Sequence, residues 1–149
     1  MTGRSSRTIL RLSLFVYTLL LIYMMFFGFG RSYNPGSHYS YNLIPFDTIK
    51  SYWMNVRGPH TLQTMMINLL GNIVVFIPFG ILLPGSYQRL KKGGSFFLVC
   101  LSALLLLEIS QMLLYRGTMD VDDVILNLLG AGLGFWSLTA GRKFMRRRS

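Results

Sequence analysis

The sequence predicts an all-α integral membrane protein, a bundle of four spanning helices with a short amphipathic helix on its outer surface. Three observations predict it. Of 149 residues, 52% are hydrophobic and only 13% charged, about half the ~25% charge of a soluble domain. Mean hydropathy is +0.44. The apolar residues also run together in stretches that approach or reach the roughly 20 helical residues needed to cross ~30 Å of hydrocarbon. A soluble enzyme of this size would expose large apolar patches, and a disordered chain is excluded by the same composition. The length allows one domain, taken as residues 1–149.

The four spans follow in order. Leu12 to Phe29, Thr61 to Leu83 and Val124 to Ala140 carry no charge, and Ser95 to Tyr115 carries only Glu108. The fourth should extend a little on both sides. None shows the period-two alternation of a barrel strand or the polar stripe of a soluble bundle helix. The first run also reads as a signal peptide, with Arg4, Arg7 and Arg11 as a basic region and Gly28 and Gly30 spaced for cleavage, although it is long for such a segment.

Charge placement orients the bundle. Eleven of the 15 basic residues fall in three segments: Arg4, Arg7 and Arg11; Arg89, Lys91 and Lys92; and Arg142, Lys143, Arg146, Arg147 and Arg148. A four-span topology puts all three on one side, so both termini are expected to be cytoplasmic. The opposite side holds Arg31, Lys50, Arg57 and Arg116 against Asp47, Asp120, Asp122 and Asp123. The net charge of +10 is thus a topology and anionic-lipid signal, and nucleic acid is not an expected partner. Residues 141–149 form a basic cytoplasmic tail.

The first outer loop, about Gly30 to His60, opens with Asn34-Pro35-Gly36, a turn signal. It carries Tyr33, Tyr39, Tyr41, Tyr52 and Trp53, rings that favour the headgroup layer. Within it Pro45-Phe46-Asp47 reads as a helix start with Asp47 as N-cap. Ile49, Tyr52, Trp53 and Val56 then recur at helical spacing, which predicts the surface helix. The second outer loop, Arg116 to Asp123, is short and acidic.

The polar residues inside the spans carry the functional expectation. A charged group at mid-bilayer costs about 2.5–3.5 kcal/mol on insertion scales, so Glu108 should face a partner or a cavity. Gln111 shares its helical face, as do Asn68 with Asn72 and Asp123 with Asn127. At ~1.5 Å per residue, Glu108 lies roughly 10 Å below Tyr115, Asn68 about 10 Å and Asn72 about 16 Å below Thr61, and Asn127 about 6 Å below Asp123. Overlapping depths on three helices predict one outward-opening polar pocket built from Asn68, Asn72, Glu108, Gln111, Arg116, Asp120, Asp123 and Asn127. The competing reading is a purely structural network, but interhelical hydrogen bonds average only ~0.6 kcal/mol in membranes, poor compensation for inserting Glu108. Arg116 is the expected anion contact, or else it neutralises Asp120 or Glu108. Asp122 and Asp123 also suit helix N-capping.

Pro78 should kink the second span and free a carbonyl. Gly130 and Gly134 form a GxxxG for close helix approach, and a homo-oligomer joined at that face stays open. Asp120, Asp122 and Asp123 are hard oxygen groups but lack the glycine and glutamate of a calcium loop. Cys100 is alone and His38 and His60 carry no motif, so neither metal nor cofactor is expected. Glu108 and Asp123 are the candidate catalytic pair should the protein be a membrane enzyme acting on a lipid-linked envelope substrate.

Together these residues form a pattern. It runs from Asn42-Leu43-Ile44-Pro45-Phe46, through Asn68-Leu69-Leu70-Gly71-Asn72 and Phe76-Ile77-Pro78-Phe79-Gly80, to Glu108 with Gln111 and Arg116, and then to Asp120-Val121-Asp122-Asp123-Val124-Ile125-Leu126-Asn127 with Gly130. From about residue 42 to 134 the chain resembles the VanZ-like family of small bacterial membrane proteins. The resemblance implies a bacterial cytoplasmic membrane. Its partners would be membrane lipids, with a lipid-linked envelope precursor or a glycopeptide antibiotic as ligand. The family's namesake trait is low-level resistance to teicoplanin, a lipid-tailed glycopeptide.

Overall fold

The computed structural model describes residues 2–28 and 38–148, the side chains of residues 2–4, 146 and 147 excepted. The Asn34-Pro35-Gly36 turn, Arg31, Tyr33 and the end of the first span at Phe29 lie outside the described residues. In chain order come α1 (Thr2–Phe27), β1 (Tyr41–Asn42), α2 (Asp47–Met54) and α3 (Pro59–Ser86), then a 3-10 turn (Gln88–Lys91), α4 (Gly93–Leu113), β2 (Met119–Asp120) and α5 (Val121–Arg148). Among the described residues four helices are long and apolar enough to cross a membrane: Ser5–Phe27, Pro59–Ser86, Gly93–Leu113 and Val121–Met145. The protein is an all-α membrane bundle. Helices α3 and α5 overrun their apolar runs at both ends and α1 begins well before its own, because helix geometry continues into polar flanks while the bilayer sets only the length of the apolar part; α4 keeps the expected length but sits two residues earlier.

The bundle turns its polar groups inward, beside an apolar core built on Phe76, Phe96 and Leu104, and leaves its outer surface apolar. Leu70, Val74, Leu98, Leu106, Leu133 and Trp136 lie exposed on its flanks, whereas Glu108, Gln111, Asp122 and Asn127 are buried to 1% exposure or less. This is the arrangement a hydrocarbon solvent selects, since a polar group facing lipid has no partner.

Helices α3 and α5 form the central pair and run parallel, both leaving the acidic-loop side. Gly130 and Gly134 face α3, and Gly80 faces α5. A Cβ on Gly130 would strike the Ile73 carbonyl, one on Gly134 the Ile77 carbonyl, and one on Gly80 the Ala131 carbonyl. Three glycines therefore let two backbones touch, which side chains would forbid. The GxxxG face is consumed inside the chain and is not an exposed interface for a second copy. Helix α3 continues through Pro78 and Pro84. Helix α4 joins through Phe96, which stacks on Phe135 at 4.6 Å. Helix α1 is tied to α3 by the Tyr17 hydroxyl, which donates to the Val75 carbonyl (2.6 Å). It is tied to α4 by Gln111 Nε2, which donates to the Met25 carbonyl (2.7 Å).

Two short strands were not expected. Tyr41 and Asn42 pair in parallel with Met119 and Asp120, which fastens the segment before α2 to the segment before α5. An isolated two-residue bridge leaves no periodic signature in sequence.

Candidate functional site

The surface helix shows how the site is assembled. Asp47 is not its N-cap. It is the first helical residue, and the cap position is Phe46, in the left-handed region (φ 68°) with no side-chain cap of its own. The capping oxygens come from across the molecule. Asp122 Oδ1 accepts from the Phe46 N–H (2.5 Å) and Oδ2 from the Ile49 N–H (3.1 Å). Asp122 thus caps α2 rather than its own helix, and its charge sits at the positive end of the α2 dipole. Its grip also holds Phe46 in a conformation that costs a non-glycine residue about 1–2 kcal/mol. Helix α2 ends at Met54, so Val56 lies beyond it.

The other acidic residues are fixed with similar economy. Asp120 Oδ1 accepts from the Asp122 N–H (2.9 Å), capping the start of α5. Asp120 Oδ2 accepts from Thr48 Oγ1 (2.5 Å), which in turn accepts from Asn42 Nδ2 (2.9 Å). Glu108 Oε2 accepts from the Asp120 N–H (3.3 Å). Asp123 Oδ1 accepts from Asn72 Nδ2 (2.6 Å). Asn68 Nδ2 donates to the Tyr52 hydroxyl (2.9 Å). Burial pushes the Tyr52 phenol above its usual value of 10.0, the Asp123 charge adds to the rise, Asn68 opposes it, and Asp120 contributes least. The phenol is therefore a neutral hydrogen-bonding group at physiological pH.

These side chains enclose a cavity of about 460 Å³ beneath α2, within the range of small-molecule sites. Asn68, Asn72, Glu108, Asp120, Asp123 and Asn127 line it, six of the eight residues expected there. The remaining two are absent from its wall. Gln111 points instead to α1, as above. Arg116 lays its guanidinium over the Phe27 ring, 4.9 Å from the centroid.

The reason lies at the end of α4. Tyr115 takes a left-handed conformation (φ 54°). The Tyr115 N–H bonds the Met112 carbonyl and the Arg116 N–H the Gln111 carbonyl (3.1 and 2.8 Å), a Schellman ending. Stacking of Tyr115 on Tyr39, 5.1 Å between centroids, occupies the ring of the residue that stands where glycine usually does. This turn sends Arg116 outward and Gly117 and Thr118 to the cavity wall.

Sequence reasoning missed Asn42, Thr48 and Tyr52 and gave Asp122 no place in the pocket, yet all four line it. Thr48 and Tyr52 are four apart on α2, and that shared face was the available signal. Four of the chain's five acidic residues line this one cavity, and among the described residues no Lys, Arg or His does. Among the described residues no three His, Cys, Asp or Glu side chains are arranged to hold a metal ion. Asn127 Oδ1, buried at the wall, meets no hydrogen-bond donor among the described residues. Chemically the described wall presents carboxylates, amides and hydroxyls.

Comparison with known proteins places this arrangement. No solved structure matches the chain. The curated Protein VanZ of Enterococcus faecium is 32% identical over 91 residues, covering 60% of this chain and 55% of that protein. The chain thus spans about half the length of the curated relative it matches. The family model described as VanZ/LLP1 matches residues 14–142, which extends the likeness beyond residues 42–134 at both ends and takes in most of α1. With the match running from α1 through the acidic loop to α5, the chain belongs to the VanZ/LLP1 family.

Proposed function

We propose that this protein sits in the bacterial cytoplasmic membrane with both termini inside, and that its polar cavity opens to the outer leaflet. There it engages the polar head of an envelope amphiphile, a lipid headgroup or a lipid-tailed glycopeptide, and lowers susceptibility to teicoplanin-type drugs. The positive-inside bias supports the orientation. The observation that carries the reading is the single cavity lined by Asn68, Asn72, Glu108, Asp123 and Asn127. Ionisable groups at membrane depth are kept when they serve a ligand or a pathway.

The test is drug susceptibility and surface binding of a fluorescent teicoplanin in cells expressing wild type or Glu108→Gln at equal membrane levels. Wild type should lower surface binding and Glu108→Gln should not. No change with either protein would sink the protective role. The second reading, a lipid-acting enzyme using Glu108 and Asp123, draws on their sharing one cavity. Its signature is an altered envelope lipid profile that disappears in Glu108→Gln.

A further inference from the structure

We infer that the chamber opens sideways into the hydrocarbon of the membrane past Gly71, and that the alkyl tail of its amphiphile lies across this glycine while the head occupies the polar wall. The opening stands on geometry alone, and the tail path rests on the pocket reading above.

Gly71 lines the chamber from α3, and the helix seam makes no use of it. A Cβ on Gly80, Gly130 or Gly134 would strike a backbone carbonyl, whereas a Cβ on Gly71 meets nothing within 4 Å among the described residues. Nor does the backbone call for glycine, because Gly71 sits inside α3 without a positive φ. Glycine weakens a helix interior. What the missing side chain leaves here is open space at the edge of the chamber.

That edge is where the wall meets lipid. Leu70, Val74 and Ile67 are exposed on one arc of α3. At about 100° per residue, Asn68 and Asn72 lie roughly 100–140° round the helix from Ile67, and Gly71 lies about 40° from it, between the two arcs. Ile67 is both exposed and part of the wall. Two ties mark the limits of the edge along the helix. Asn68 Nδ2 donates to the Tyr52 hydroxyl toward the start of α3, and the Tyr17 hydroxyl donates to the Val75 carbonyl toward its end. Between Asn68 and Val75 run about 10 Å of helix, bordered by the apolar Ile67, Val75 and, from α1, Met24.

Depth decides what passes there. Gly71 stands near the midpoint of the Pro59–Ser86 span. At the middle of a bilayer the headgroups are about 15 Å away and the solvent is hydrocarbon. An alkyl chain is therefore what the membrane presents to this opening. An amphiphile lying over Gly71 keeps its chain in lipid and turns its head toward Asn68 and Asn72.

The experiment uses the full chain carrying Trp53→Phe and Trp136→Phe, reconstituted in phosphatidylcholine brominated along its acyl chains. Leu126→Trp then puts a single tryptophan on the chamber wall from α5. The bromines should quench this reporter, and Gly71→Leu should remove most of the quenching. Val74→Leu, on the lipid face outside the wall, should leave it unchanged. Quenching that is equal with and without Gly71→Leu, or absent from both, would overturn the opening. Because a Cβ at Gly71 has free space, a second measurement uses Gly71→Leu without the reporter. In the surface-binding assay above, at equal membrane levels, it should abolish the lowering of fluorescent teicoplanin binding that wild type gives. Lowering as strong as wild type would overturn the tail path. Wild type that lowers nothing while the quenching behaves as expected would remove the pocket reading and the tail path with it, and leave the opening standing.

Discussion

Two stretches of the α3–α5 pair present the same two parallel helices in opposite states. In the tight half, away from the acidic loop, Gly80, Gly130 and Gly134 bring backbone against backbone. In the open half, next to the acidic loop, Asn72 and Asp123 bridge the helices by a side-chain hydrogen bond, with the chamber around them. Side-chain size and polarity alone separate the two regimes. Glycine permits contact, and that contact supplies the van der Waals packing which holds helices together in lipid. Asparagine and aspartate meet through their side chains instead and line the chamber.

The largest expected effect attacks the tight half. Gly130→Leu forces the Ile73 carbonyl away and should cost more than the ~1–3 kcal/mol of ordinary overpacking, read as loss of folded protein in detergent thermal melts. Gly132→Ala is the control. Its Cβ would meet only the Phe97 ring at 3.4 Å, and the melt should shift by no more than about 0.5 kcal/mol equivalent. A collapse in Gly132→Ala as severe as in Gly130→Leu would show that the whole α5 face, rather than the seam, is critical.

The next effect acts on the open half. Asp122→Ala leaves the Phe46 and Ile49 N–H groups uncapped and should destabilise α2 by about 1–3 kcal/mol. Hydrogen exchange at Ile49 and the fluorescence of Trp53 should report α2 loosening while the α3–α5 seam keeps its protection. Unchanged exchange at Ile49 would mean that Asp122 does not hold the surface helix.

Smaller still, Asn68→Ala removes the bond to Tyr52 and should cost near the ~0.6 kcal/mol average of interhelical hydrogen bonds in membranes, measured by the same melt. The smallest effect is on pH dependence. The Tyr52 phenol titrates above its usual 10.0, so the folded state favours the neutral form. Its contribution is full below about pH 10 and is lost as pH rises through the folded value. A spectrophotometric tyrosinate titration should lose a component above pH 10 in Tyr52→Phe; a component lost below pH 10 would contradict the buried, acid-flanked setting.

Much of this was legible in the chain. Four apolar runs, a surface helix and shared faces at i, i+4 spacing are local properties, fixed by composition and the 3.6-residue period. Six of the expected residues line the cavity, all but Asp120 from spanning helices, because polar side chains at membrane depth have only one interior to enter. The misses are long-range. Asp47 looked like a cap because the residue before a helix ordinarily caps it, yet the cap came from Asp122, 76 positions away from Phe46. Arg116 was expected at the cavity wall because arginine pairs with anions, and the left-handed turn at Tyr115 lays it over Phe27 beside that wall's Met24 and Met25 helix.

The sequence by itself determined that this is a four-span membrane bundle with buried polar groups, because hydrophobicity and helical period need no knowledge of neighbours. Only the tertiary structure decided which carboxylate caps which helix, that Thr48 and Tyr52 join the wall, and that the chamber's described wall holds acid without base. Those outcomes depend on how loops far apart in sequence meet across the bundle, and contacts of that kind leave no periodicity to read.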